Sequence, residues 1–126
     1  MKYETNMDFV KSVEKLEEAI AESDLKIISR INAQENLKKI GFEIGGNQIF
    51  ELFHPRLAKK VFDTNLEAGI IPPVRIYIYQ DGGSARCIYE LSEPLFSKYG
   101  LSDTGREVDN AIKSILGKAF PGGLIK

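Results

Sequence analysis

IFELFHPRLAKKVFDTNLEAGIIPPVRIYIYQDGGSARCIYEL, residues 49–91, decides the fold. Residues 48–53 alternate as a strand does and end at Phe53-His54-Pro55. Proline suits the first position of a helix, because its φ is already helical and no amide is wasted there. The helix that follows, residues 55–68, carries Leu57, Ala58, Val61, Phe62 and Leu66 at helical spacing, and Gly69 stops it. Pro72-Pro73 then opens a strand, a position where proline costs no ladder hydrogen bond. Residues 74–80 and 84–91 flank Asp81-Gly82-Gly83, a strong hairpin signal.

The rest of the chain extends this pattern. Residues 1–5 suit a short strand. Phe9, Val13, Leu16 and Ile20 then recur at helical spacing behind Asp8, an N-cap residue. Lys11, Glu14, Lys15, Glu18 and Glu22 occupy the other face as a solvated surface. Residues 25–31 read as a strand. Asn32 caps a short helix, 33–40, which ends at Gly41. Residues 94–99 read as irregular. Ser102 or Asp103 caps a last helix with Val108, Ile112, Ile115 and Ala119 on one stripe, and Pro121-Gly122-Gly123 ends it. The order is β-α-β-α-β-α-β-β-α. It predicts one α+β domain over 1–126, a two-layer sandwich whose mixed sheet of about five strands carries helices on one face.

Strand parity sorts the sheet residues. Val74, Ile76, Ile78, Cys87, Tyr89 and Leu91 fall on one set, with Arg75, Tyr77, Tyr79, Arg86, Ile88 and Glu90 on the other. This pairing needs Gly82 and Gly83 at the centre of the turn, because a slip of one residue exchanges the sets on one strand. In the earlier strands, Leu25, Ile27, Ile31, Phe50 and Leu52 are expected to face the helices. Lys26, Ile28, Arg30, Ile49, Glu51 and Phe53 then face away. The outer face is too apolar for a lone surface. A homodimer interface built on Arg75, Tyr77, Tyr79, Arg86 and Glu90 is the leading expectation, since tyrosine and arginine are enriched at interfaces. A ligand-binding face and a plain solvated sheet are the alternatives.

Composition narrows the function classes. The 126 residues hold 17 Lys+Arg against 18 Asp+Glu, a net charge of −1. Non-specific nucleic-acid binding needs a basic surface, so nucleic acid is not expected as a partner. A near-zero charge also removes the self-repulsion that opposes association. Cys87 is the single cysteine, so no internal disulfide forms. Apolar runs are too short to span a bilayer and no leader pattern opens the chain. A cytoplasmic protein with no membrane partner is expected.

Candidate chemistry is sparse. His54 is the single histidine, a residue type that titrates near neutrality and serves as base or ligand. It stands at a helix N-terminus beside Arg56, where free amides could hold a small anionic ligand. Cys87 reads as a buried thiol, and a reactive pairing with His54 would require the two to meet. Tyr77 and Tyr89 complete the candidate ligand-binding set with His54, Arg56 and Cys87. No metal site is expected from one histidine and one cysteine. No cofactor is expected either, because Gly45-Gly46 and Gly82-Gly83 lack the strand-loop-helix setting of a phosphate loop.

Several segments carry a family resemblance. Phe53-His54-Pro55 resembles a strand-end Gly-Asn-Pro motif. The stretch from Ala68 to Tyr79 resembles an Ala-Gly-x-x-Leu-Pro-hydrophobic lead into a strand. Cys87-Ile88-Tyr89 with Glu93-Pro94 resembles the second hairpin strand and its exit, and residues 25–41 resemble a strand and short helix. Together they resemble the bacterial and archaeal domain of unknown function 302 family. The resemblance implies a small two-layer α+β fold, and self-association, with no assigned reaction. His54 stands where that motif has asparagine and Phe53 where it has glycine. The functional expectation is a self-associating protein that binds a small ligand near His54. One alternative is an enzyme using His54 with Tyr77, Tyr89 or Cys87. Another is an interaction subunit that docks a different protein on its outer sheet face.

Overall fold

The computed structural model describes residues 1–126. Strand β1 (Lys2–Thr5) leads to helix α1 (Phe9–Ala21), β2 (Lys26–Asn32), α2 (Ala33–Lys38), β3 (Asn47–Phe53) and α3 (Pro55–Thr64). A 3-10 turn (Leu66–Ile70) precedes β4 (Val74–Asp81) and β5 (Ser84–Ile88). Helices α4 (Glu93–Ser97) and α5 (Ser102–Ala119) and a short β6 (Leu124–Ile125) close the chain. The result is the expected α+β sandwich.

Two details of the sheet differ from expectation. Its strands number six, in the order β2-β3-β4-β5-β1-β6. Every pairing is antiparallel, so the sheet is not mixed. Helices between strands suggested parallel crossovers. Here α1 carries the chain from β1 over the sheet to the far edge, so β1 and β2 never become neighbours. The six-residue α2 turns the chain back onto β3 instead.

The hairpin matches the parity argument. Asp81 pairs with Ser84, leaving Gly82 and Gly83 central, and Gly82 takes a φ of 62° that the tight turn demands. Ile76, Ile78, Cys87 and Tyr89 are buried beneath the helices, whereas Leu91, beyond the end of β5, is exposed. Edge strand β2 departs further. Its ladder shifts between Ile27 and Ser29, so Arg30 pairs with Phe50 and Ile31 with Ile49. The extra residue, Ile28, reverses the parity beyond it. Arg30 therefore lies on the helix side, 4.5 Å over the Phe50 ring, and joins Glu17 of α1 at 3.0 Å. Ile31, expected inside, is on the open side, and both Ile27 and Ile31 are exposed at this edge.

The core lies between the sheet and helices α1 and α5. Leu16, Ile20, Ile112 and Leu116 meet Phe50, Leu52, Ile76 and Ile78 there. Burying each such side chain is worth ~1.5–3 kcal/mol. A second cluster, Val61, Ala68, Phe96, Leu101 and Val108, fixes α3 and α4 against α5. Asp8 caps α1, its Oδ1 accepting from Lys11 N at 2.8 Å. Helix α3 stops at Thr64, because Asn65 turns extended and caps the 3-10 turn through Glu67 N at 3.0 Å. That break takes Leu66 off the helical stripe, and both Leu66 and Phe62, expected on the buried stripe, are exposed. The segment expected to be irregular holds α4, and α5 starts behind Leu101 with no side-chain cap. No helix is long and apolar enough to cross a membrane.

Candidate functional site

His54 ends the run from β3 into α3 and acts as the helix cap. Its Nδ1 accepts from Leu57 N at a long 3.4 Å, and its carbonyl takes the Ala58 amide at 2.8 Å. Pro55 has no amide, so the first turn offers an anion the Arg56 amide alone. Arg56 itself is exposed. A cavity of about 200 Å³ beside His54 brings Glu22, Asp24, Ser114 and Lys118 together, and Lys118 already pairs with Glu22 at 3.6 Å. The second cavity at His54 holds about 20 Å³ and is walled by Leu25, Leu52, Val61 and Phe96. That is room for little more than one water.

Cys87 points into the core opposite Ile78 and Tyr3. Burial pushes its thiol up to about 12, which removes the thiolate needed for nucleophilic chemistry. Tyr89 is buried as well, but polar at its tip. Its hydroxyl donates to Asp109 Oδ1 at 2.7 Å and lies 2.9 Å from Ser92 Oγ. The same Oδ1 accepts Ser92 N at 2.7 Å, and Oδ2 accepts Glu93 N at 3.0 Å. Burial, then the bond to Asp109, raises the Tyr89 phenol well above its ordinary value. Asp109 thus pins the exit of β5 and the start of α4 to α5. Sequence reading passed over this carboxylate. Its signal was position, since Asp109 falls three before Ile112 and seven before Leu116 on the buried stripe.

Tyr77 belongs to the opposite side of the sheet. Its hydroxyl accepts from Asn47 Nδ2 at 2.6 Å, and its ring stacks on Tyr79 with centroids 5.0 Å apart. His54 and Tyr77 therefore line different cavities, while Cys87 is sealed in the core and the Tyr89 hydroxyl is held by Asp109. Tyr77 and Tyr89 both line the groove on the open face, whereas His54 and Cys87 lie apart from it.

The side of the sheet away from the helices is uncovered. Cross-strand pairing aligns Ile31, Ile49, Tyr77, Ile88, Lys2 and Ile125 into one row across all six strands. Charges flank it in loose pairs: Arg75 with Glu51 at 3.8 Å, and Arg86 with Glu4 at 3.7 Å and Asp81 at 3.5 Å. The buried Arg86 Nε, though 3.5 Å from Asp81, makes no hydrogen bond. Arg75, Tyr77, Tyr79, Arg86 and Glu90 all occupy or border this face. At the end where β4 begins and β5 finishes, a groove of about 590 Å³ opens between Ile49, Ile88, Pro73, Ile71 and Leu95, with Arg75 and Glu90 also in its lining and Tyr89 behind. No cluster of three or more His, Cys, Asp or Glu side chains is arranged to hold a metal ion.

A helix-backed antiparallel sheet with one bare, grooved face defines a two-layer α+β sandwich protein. The sequence profile described as "Domain of unknown function DUF302" matches residues 1–119, and the chain belongs to that family. Its fold is similar to a crystal structure of an uncharacterized conserved protein DUF302 from Bacillus stearothermophilus. The TM-score is 0.84 at 18% identity, over 94% of this chain and 96% of that one. No curated protein matches the chain.

Proposed function

We propose that this DUF302 protein works as a homodimer in the cytoplasm, two copies packing open sheet face to open sheet face. The observation that carries the reading is the uncovered row Ile31–Ile49–Tyr77–Ile88. A lone sheet leaves such a row wet at a cost of roughly 25 cal/mol per Å² of apolar surface. A standard interface removes ~800 Å² from each partner. That is about a tenth of the 7369 Å² surface of this chain. The flanking Arg75, Arg86, Glu51 and Glu4 offer both signs of charge to a copy of the same face. A cytoplasmic setting accords with a chain whose single cysteine forms no internal disulfide.

The small-ligand reading has less behind it at His54, where one amide is free and the adjacent cavity carries carboxylates. Light scattering across micromolar concentrations tests the dimer. Wild type is expected at twice the chain mass. Ile88→Lys, which sets a charge in the middle of the row, is expected to give monomer with an unchanged circular dichroism spectrum. A wild-type protein that stays monomeric refutes the proposal.

A further inference from the structure

The segment between β2 and β3 is well formed and packs on almost nothing. Helix α2 has no buried residue. Immediately after it, Ile40 is 68% and Phe42 61% exposed. Six-residue helices are unstable alone in water, yet this one is finished at both ends. Asn32 Oδ1 accepts Glu35 N at 3.0 Å. At the other end Phe42 N bonds the Leu37 carbonyl at 3.0 Å and Gly41 N bonds that of Lys38 at 3.1 Å. Gly41 has a φ of 90°, which makes this a glycine-closed helix end. The Gln34 side chain ties down the Ile44 carbonyl at 3.2 Å. The segment is a preformed knob that holds two large apolar side chains in water, and preorganisation of that kind lowers the entropic cost of docking.

The groove on the open face is the complementary feature. The knob joins β2 to β3 at the end of the sheet where Asn47 pairs with Tyr79. The groove lies at the other end, beside Pro73, Val74 and Leu95. A two-fold axis lying between two facing sheets and crossing their strands reverses strand direction. It sets the knob end of each copy over the groove end of the other, an isologous arrangement that satisfies both at once. Charge agrees: the knob carries Lys39 and Glu43, and the groove lining carries Glu90 and Arg75.

Accordingly, resting on the face-to-face dimer above, we infer that the occupant of the groove is the α2 knob of a second copy of this chain, seated through Phe42 and Ile40. Each groove is then completed only by the partner, and the two knobs act as reciprocal latches.

Cysteine pairing in the full-length chain tests this. A disulfide forms only where two Cα atoms come within about 7 Å, and the knob and groove of one chain lie at opposite sheet ends. Mild oxidation of F42C/L95C is expected to link most of the protein at twice the chain mass, with F42C or L95C alone giving little. Buried Cys87 does not interfere. Phe42→Ser is expected to raise the dimer Kd about tenfold or more, as loss of an anchoring aromatic does. Its fold should be unchanged, since Phe42 is exposed. If wild type is a dimer but F42C/L95C fails to link and Phe42→Ser dissociates like wild type, the latch is overturned and the face-to-face dimer stands. If F42C alone links efficiently, the knobs meet each other and the latch is again overturned. Wild-type monomer removes both.

Discussion

The hydroxyl of Tyr89 donates a hydrogen bond of 2.7 Å to Asp109, joining the end of the central hairpin to the middle of α5. Both residues are buried, and the carboxylate is satisfied by three donors from residues 89, 92 and 93. Removing the acceptor should therefore cost more than removing one donor. Asp109→Ala leaves the Ser92 and Glu93 amides without a protein partner and only Ser92 Oγ to the Tyr89 hydroxyl, and is expected to lower stability by ~3 kcal/mol, whereas Tyr89→Phe is expected to lose about 1.5 kcal/mol. Urea unfolding of both variants checks the order. Equal losses would show that the carboxylate does not anchor the segment.

Gly105 faces the backbone of α4. A Cβ at that position would stand 2.7 Å from Glu93 Cα and 3.0 Å from Phe96 Cβ. Because the first of these is main chain, a rotamer change gives no relief. Gly105→Ala should gain helix propensity, yet the net result is expected to be a loss of ~2 kcal/mol as α4 is forced off α5. A thermal melt that matches or exceeds wild type would contradict this contact.

Alkali should unfold the protein through its buried acids. Below pH 9 the Cys87 thiol keeps its proton in both states, and the stabilisation is constant. Above that its unfolded form sheds the proton from its ordinary 9.0 while the folded form holds it to about 12. Stability then falls with rising pH, by up to about 1.4 kcal/mol per unit for one group. Tyr89 adds a loss of the same sign from its ordinary 10.0 upward. Chemical denaturation at pH 8 through 11 should show this decline, and Cys87→Ala should make it shallower. Native protein should also resist thiol reagents that modify it once unfolded. Fast labelling of the native chain would contradict the burial.

His54 makes a long cap bond, 3.4 Å from the amide it serves. Asparagine has a shorter reach and ranks among the strongest N-cap residues, so His54→Asn is expected to raise stability by about 0.5 kcal/mol. A calorimetric melting temperature a few degrees higher would bear this out. A clear decrease would mean that the ring contributes more by packing against its neighbours than it does as a cap.

Much of the architecture was legible because its causes are local. The hairpin follows from Gly82-Gly83 between alternating strands, the start of α3 from Pro55, and the buried face of α1 from the spacing of Val13, Leu16 and Ile20. The misreadings have one physical form: each depends on a neighbour distant in sequence. Arg30 and Ile31 exchanged faces because a bulge opposite β3 shifted the ladder by one residue. The all-antiparallel sheet follows from where β1 docks, beside β5, a choice made by side chains more than eighty residues away.

The candidate site divides in the same way. The sequence by itself determined that one sheet face carries Arg75, Tyr77 and Tyr79 and the other Ile76 and Ile78, because alternation is a property of the extended backbone. It also determined the single thiol and single imidazole. Only the tertiary structure decided that Tyr89 ends on Asp109, that His54 and Tyr77 line separate cavities, and that the α2 segment stands clear of the core. Those outcomes depend on how helices cross a sheet and how its strands are ordered. Local propensity sets which residues share a face; packing of distant segments sets which faces meet.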